Sequence, residues 1–501
     1  MKNLFHRKCL IVGIIILFIG ASVISSPGIY IDNNQQILSG RQVDSNLLFP
    51  HGSLAHRLIM NKMTKTLNPV LVLSIKMGQC VNQTEDNGYI ITGYIGETDL
   101  NDPEASTLLN TLLVRYDENG NEEWSKTFEL LEGNTGYCVQ QTTDQGYIIG
   151  GTAASLNTSY AMLLKVDEQG TQEWMKTFEG LGIGITQGFS VQQTNDSGYI
   201  LSGSSTSINN TNITYVLLIK TDENGNAEWS KTFRYRNNSV GNSVQQTGDL
   251  GYIVTGYTVD TNWTNPWTPM ENEVLLIKTD ENGSEEWNKT FKFMKVSMGH
   301  SVQQTDDKGY ILCGTMLSSD DFKSSALLLK TDENGDEEWH KTFSNKDGHS
   351  VQQTNDKGYI LGGTAISGFH SYALLLKTDE QGNEEWTKTY EGSGEAIGFK
   401  AQQTNDNGYI LTGATFSSLF SFKFYVLLLK TDENGNIEWI KLETTNSIRA
   451  KAKYTFNTKD GFKTPYDTMT FNQQLNIHPL IQKIIKRFPN AFPILRHMLG
   501  L

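Results

Sequence analysis

An all-β fold built from seven tandem four-stranded units is what the sequence predicts, and three observations carry that reading. A block of about 50 residues recurs between Leu67 and Asn446. Its Tyr-Ile step falls at Tyr89, Tyr147, Tyr199, Tyr252, Tyr310, Tyr359 and Tyr409, and its tryptophan at Trp124, Trp174, Trp229, Trp287, Trp339, Trp386 and Trp439. The composition leans the same way: apolar residues are 38% and charged residues 19% of 501, and Gly, Asn, Thr, Ser and Gln fill the difference, which favours strands and turns over helices. Finally, each block holds four short strand-like runs separated by turn signals. Units of this kind bury their faces against one another in a β-propeller, so seven units predict seven blades of four antiparallel strands.

The elements follow in chain order. Residues 1–25 have the plan of a secretory signal or membrane anchor, with Lys2, His6, Arg7 and Lys8 ahead of an apolar run from Cys9 to Ile24, then Ser25, Ser26, Pro27 and Gly28. Residues 26–66 show no period and read as a linker. The propeller is expected over 67–446. Its third unit shows the pattern: a strand through Ser190-Val191-Gln192-Gln193, a turn at Asn195-Asp196-Ser197-Gly198, and a strand from Tyr199. A variable loop, an apolar strand through Val216-Leu217-Leu218-Ile219, the hairpin Asp222-Glu223-Asn224-Gly225 and a strand through Trp229 complete it. Consecutive apolar residues place the second and third strands between covered faces. Alternation of Trp124 and Phe128 with Ser125 and Thr127 marks the tryptophan strand as the half-exposed outer edge. The Gln-Gln strand is thereby innermost, and both turn types are expected to use their glycine at positive φ. Pro69 to Lys76 reads either as an extra strand or as a partner for the last blade. Residues 447–475 begin with one more strand carrying Arg449, Lys451 and Lys453 on one face, and 476–501 form an amphipathic helical tail without acids.

The Tyr-Ile-x-x-Gly strand, the turn aspartate and the tryptophan on a following strand resemble kelch-type blades of secreted propellers, over about three quarters of the chain. The double glycine usual in such blades stands only at Gly150-Gly151 and Gly362-Gly363, and the Asp-Glu-Asn-Gly turn lacks the spacing of an aspartate box. The resemblance implies a fold, and such folds host binding, scaffolding and catalysis alike.

Comparing the units locates candidate functional residues. Turns after the first and third strands barely change, whereas the opposite face carries loops of variable length, the usual arrangement of a binding face. One variable slot at the start of the first strand opens onto it: Gln79, Tyr137, Phe189, Asn242, His300, His349 and Phe399. The densest loop is Asp260 to Trp267, whose Trp263 and Trp267 stand outside the repeat frame and suit a sugar ring, a protein partner, or packing onto the propeller itself. His300 and His349 share the slot in adjacent units and could form an acid–base or metal pair, or fill space as Phe and Asn do elsewhere. Cys80 and Cys138 share another slot and are expected to be two separate buried thiols, since equivalent points on neighbouring blades stand far apart. The Asp-Glu-Asn-Gly hairpins lack the ligand count of a calcium loop.

A net charge of −14 argues against a protein that neutralises nucleic-acid phosphates. Four scattered cysteines without a C-x-x-C exclude a zinc ribbon and a disulfide scaffold. No cofactor or metal is expected. The expected function is an exported, cell-surface-associated monomer that binds or scaffolds an extracellular polymer, glycan or protein through its variable face, with membrane association through either terminus. The alternatives are a propeller enzyme acting on polysaccharide as lyase or hydrolase through His300, His349 or loop acids near the central opening, and a structural envelope protein.

Overall fold

The computed structural model describes residues 72–99, 108–129, 132–155, 158–180, 184–207, 213–260, 271–318, 323–368, 370–392, 394–417 and 423–444. The expected leader, linker, basic strand and helical tail lie outside the described residues, as do Trp263 and Trp267.

Within them the chain is all β: 28 strands in seven groups of four, at 72–128, 134–178, 184–233, 238–291, 296–344, 346–390 and 395–444. The third unit runs Gly184–Gln193, Tyr199–Ser207, Ile213–Thr221 and Ala227–Phe233, each strand antiparallel to the one before. These are inner, second, third and outer strands, in the order the hydrophobic pattern predicts. Tyr199, Ile200 and Leu201 on the second strand and Val216 to Ile219 on the third are buried, while Glu228 and Ser230 on the outer strand are exposed. In the first unit Val72–Gln83 is one continuous inner strand, and its first half pairs with the end of the second strand, from Lys76 opposite Ile95 to Val72 opposite Asp99. Of the stretch left open by sequence, residues 72–76 are therefore part of the first blade, and 69–71 lie outside the described residues.

Each unit packs on the next through side chains that the repeat fixes. The outer-strand tryptophan meets the next unit's tyrosine edge to face, as Trp174 meets Tyr199 at 5.8 Å between ring centroids. The same indole covers a glycine of the next unit's second hairpin. Gly225 has φ +74, and a Cβ there would stand 2.6 Å from the Trp174 ring, so this position needs glycine for both conformation and space.

The other hairpin departs from expectation. Its positive-φ residue is not the glycine but the residue before it, as at Gln145 (φ 68), Ser197 (φ 69) and Leu250 (φ 71). The glycine is required instead because a Cβ on Gly198 would stand 2.6 Å from Lys220 Nζ and overlap the Thr221 carbonyl oxygen. That lysine is itself a repeat element. Lys220, buried on the third strand, reaches Asp196 of the first hairpin at 2.8 Å, Glu228 of the outer strand at 2.9 Å and the Thr221 carbonyl at 2.9 Å. Lys165, Lys278, Lys330, Lys377 and Lys430 repeat the arrangement, and Arg115 takes the place in the first unit.

The seventh unit meets the first as any unit meets its successor. Trp439 lies 5.7 Å from Tyr89, and the Gln83 N–H donates to Gln402 Oε1 at 3.0 Å.

Candidate functional site

The inner strands converge, and their side chains build two layers. The first is made by the variable slot. In every unit that residue sits at a β-bulge inside the strand and not at its start: pairing skips Gln79, Tyr137, Phe189, Asn242, His300, His349 and Phe399. A bulge adds one unpaired residue and re-aims its side chain. Here the re-aimed side chains meet one another: Tyr137 and Phe189 lie 5.7 Å apart edge to face, His300 and His349 5.8 Å, and His349 and Phe399 5.7 Å nearly stacked. Asn242 Nδ2 donates to the Gly299 carbonyl at 2.8 Å, and His349 Nδ1 lies 2.7 Å from the Gly398 carbonyl, which requires the proton on Nδ1. Five of the seven slot residues thus touch, Tyr137 with Phe189 and His349 with both His300 and Phe399, while Asn242 bonds the next unit's backbone.

Burial sets the chemistry of two groups in this layer. Burial, with a smaller contribution from the charge of His349, pulls His300 down to about 3, so it is neutral at physiological pH. Asp347, two residues before His349, is pushed up by burial, and its Oδ1 has no hydrogen-bond partner among the described residues. Asp347 carries no signal in the sequence, since Met77, Thr135, Gln187, Val240, Met298 and Ile397 fill its counterparts and a single departure in one unit has no spacing.

The second layer is polar and belongs to the Gln-Gln pair. The first glutamine's Oε1 accepts the backbone N–H of the second glutamine on the next unit, as from Gln193 to Gln140 at 2.7 Å and from Gln403 to Gln352 at 2.7 Å. The second glutamine's Oε1 accepts from the preceding unit's first hairpin, as from Asn195 to Gln246 and from Asn405 to Gln83, both at 2.9 Å. With the oxygens of the first glutamines committed, their Nε2 groups keep their donors. Beyond them, at the hairpin face, opens a cavity of about 760 Å³ lined by Gln, Asn, Thr, Ser and Glu, among them Gln140, Gln352 and Gln402. This half-open volume lies on the constant face, opposite the one the sequence nominated.

Between the layers lies a cluster the sequence did not assemble. The slot after the bulge is serine in four units, and Ser190 and Ser350 accept the N–H of Val244 at 3.3 Å and of Ala401 at 2.9 Å in their next units. Its other occupants are Cys80, Cys138 and Lys400. Cys80 and Cys138 are both free thiols, as expected, but their sulfurs lie only 3.9 Å apart, and Cys138 is partly rather than fully buried. Inner strands approach closely enough for side chains of neighbouring units to touch. Lys400 Nζ reaches Cys80 Sγ at 3.4 Å. The hydrogen bond from Cys80 and the charge of Lys400 overcome burial to bring Cys138 down to about 6, while that hydrogen bond and burial push Cys80 up. The Cys80 hydrogen bond thus favours ionisation of Cys138 over Cys80, and the nearby Lys400 charge favours a thiolate. Cys313 is buried apart from it, and burial pushes its thiol up.

Among the described residues no group of three or more His, Cys, Asp or Glu is placed to hold a metal ion. No helix there is long and apolar enough to cross a membrane.

No family model matches the chain, and no curated protein matches it. Solved structures similar to it include Sqt1 of Chaetomium thermophilum bound to the N-terminus of ribosomal protein L10, with 9% identity and a TM-score of 0.41 over 73% of this chain and 86% of that one. Drosophila Semaphorin 2a matches with 8% identity and a TM-score of 0.40, over 71% of this chain and 73% of that one. A puromycin hydrolase matches with 10% identity and a TM-score of 0.44, over 73% of this chain and 54% of that one. At such scores these likenesses carry no argument about ligand or activity, and the propeller-like architecture rests on the repeated four-stranded sheets themselves.

Proposed function

We propose that the chain is an exported binding or scaffolding module that holds a hydroxyl- or amide-bearing segment of an extracellular polymer or protein in the cavity at its hairpin face. Export rests on the charged and apolar order of residues 1–25. The binding site rests on one observation: a cavity of about 760 Å³ rimmed by glutamines whose oxygens are committed to backbone N–H groups while their NH2 groups keep their donors. Such a rim suits carbonyl and hydroxyl oxygens, which supply acceptors without a formal charge.

The test uses the full chain with Gln352→Glu and Gln402→Glu. A carboxylate oxygen still accepts the N–H of Gln403 or Gln83, so the fold is kept while the donors are removed. Thermal shift against oligosaccharides and envelope extracts should give a hit with wild type that both substitutions abolish. A hit unchanged by them but lost with Trp263→Ala would move the site to the variable face.

A second reading, polysaccharide cleavage, is favoured by the buried carboxyl of Asp347 close to His349. It requires that Asp347→Asn abolish depolymerisation of a bound glycan without weakening its binding.

A further inference from the structure

The seam between the first and second units differs from the rest in two ways. Six seams carry the glutamine rung described above, but the first unit has Asn82 where the others have glutamine, and among the described residues no bond spans from it to Gln141. At this same seam serine is replaced by cysteine on both sides, and Lys400 stands at the adjoining place in the seventh unit. A hydroxyl would serve the packing, as it does in four units. The three departures from serine lie side by side, with Sγ to Sγ at 3.9 Å and Nζ to Sγ at 3.4 Å, and Cys138 retains solvent exposure.

We propose that Cys80 and Cys138 form a reversible thiol–disulfide pair, with Cys138 the attacking thiolate, Cys80 the resolving thiol and Lys400 the positioning charge. The oxidant is a small disulfide that meets the exposed part of Cys138. The Cys138 thiolate attacks one of its sulfurs, its S–S bond breaks, and the first thiolate leaves. Cys80 gives its proton to that leaving thiolate and attacks the Cys138 sulfur. The Cys80–Cys138 bond forms and a second thiolate departs, protonated by water. The small disulfide gains two electrons and leaves as two thiols, while the protein is oxidised by the same two electrons; a reducing dithiol reverses the sequence. A closed bond would staple the one seam that lacks its rung.

Lys400 is the one charged side chain acting on both sulfurs. A thiol that ionises near 6 is largely thiolate at neutral pH, whereas an ordinary one is ionised to only a few per cent. Serine already fills this slot elsewhere, so Cys→Ser variants are expected to fold.

The test exposes the full-length, reduced chain to oxidised glutathione at pH 7, followed by alkylation and peptide mass mapping. Wild type should lose both thiols into one Cys80–Cys138 linkage that dithiothreitol reopens. Cys80→Ser should stop at one glutathione on Cys138, and Cys138→Ser should react at least tenfold more slowly. Lys400→Met should slow the reaction about tenfold and move its pH profile upward, with Lys400→Arg restoring both. The proposal is overturned if neither thiol reacts, if Cys80 and Cys138 react independently without linking, or if the bond, once formed, resists dithiothreitol in the folded protein.

Discussion

Replacing Lys278 by methionine removes one buried lysine from the repeated ion-pair set while leaving most of its aliphatic volume. Lys278 Nζ lies 2.9 Å from Asp249 Oδ2, from Glu286 Oε2 and from the Thr279 carbonyl, and its side chain is 3% exposed. Removing one partner of a buried pair costs about 3–5 kcal/mol when the other charge stays buried. Here the two carboxylates are 59% and 46% exposed and regain water, so the expected loss falls to about 3 kcal/mol, much of it from the stripped carbonyl and the lost charged hydrogen bonds. An unfolding entropy near 2.1 cal/mol/K per residue over roughly 370 residues gives about 0.8 kcal/mol/K, so Tm should fall by about 4 °C. Thermal melts of wild type, Lys278→Met, Asp249→Asn and the double variant close a cycle, and the Lys278–Asp249 coupling should survive 1 M salt because the ammonium is buried. The cycle has a pH arm as well. Burial works against ionisation of Asp249, but hydrogen bonds from Lys278, Thr247 and the Gly251 N–H hold its carboxyl below its ordinary value. A depressed carboxylate contributes stability above its unfolded pKa and loses it as pH falls through the folded one, so the gap between wild type and Asp249→Asn should shrink below about pH 4. A Tm change under 1 °C for Lys278→Met, or a coupling erased by salt, would refute the assignment of this lysine as a buried clamp.

Two further substitutions test other parts of the fold. His300 is held neutral by burial, with its pKa near 3, so the unfolded chain takes up a proton below about pH 6.5 that the folded chain refuses. Wild type should therefore lose more stability than His300→Asn between pH 7 and pH 5, measured by urea midpoint; equal losses would show the imidazole to be solvated. Leu250 sits at φ +71 on an exposed hairpin, where its counterparts are Asn, Gln, Ser and Lys. Leu250→Gly should raise stability by about 0.5–1 kcal/mol, the left-handed cost less the added chain entropy, read as a higher Tm; a lower Tm would mean the leucine packs more than its exposure suggests.

The strand order was legible because it depends on burial, and burial writes itself as runs and alternations. Tyr199-Ile200-Leu201 and Val216 to Ile219 had to be covered on both faces, and they are. The reason for Gln-Gln was less visible: polarity and position placed the pair innermost, but its use as a rung depends on the distance between neighbouring strands, which no single unit contains. The first hairpin misled for a related reason. Gly198 looks like a turn glycine, yet the constraint on it comes from Lys220, a third-strand residue 22 positions later. The slot residues were found by variability alone, which indicates where the repeat is free but not that a bulge folds those side chains together. Cys80, Cys138 and Lys400 were within reach of the same comparison. Laying the serine slot side by side across units shows three departures, and the contact between Lys400 and Cys80 follows only once the seventh unit is known to sit beside the first.

That last contact has a consequence for assembly. The seventh unit meets the first without borrowing a strand, since each unit owns its four, so the tryptophan side of any unit is complementary to the tyrosine side of any other. Such a head-to-tail interface stays monomeric only while the two ends of one chain find each other before they find another chain. A chain shortened by one unit would carry both complementary surfaces with nothing to join them, and would be expected to associate end to end into open strings. Two complementary fragments cut in any variable loop would, by the same logic, rebuild the intact molecule when mixed.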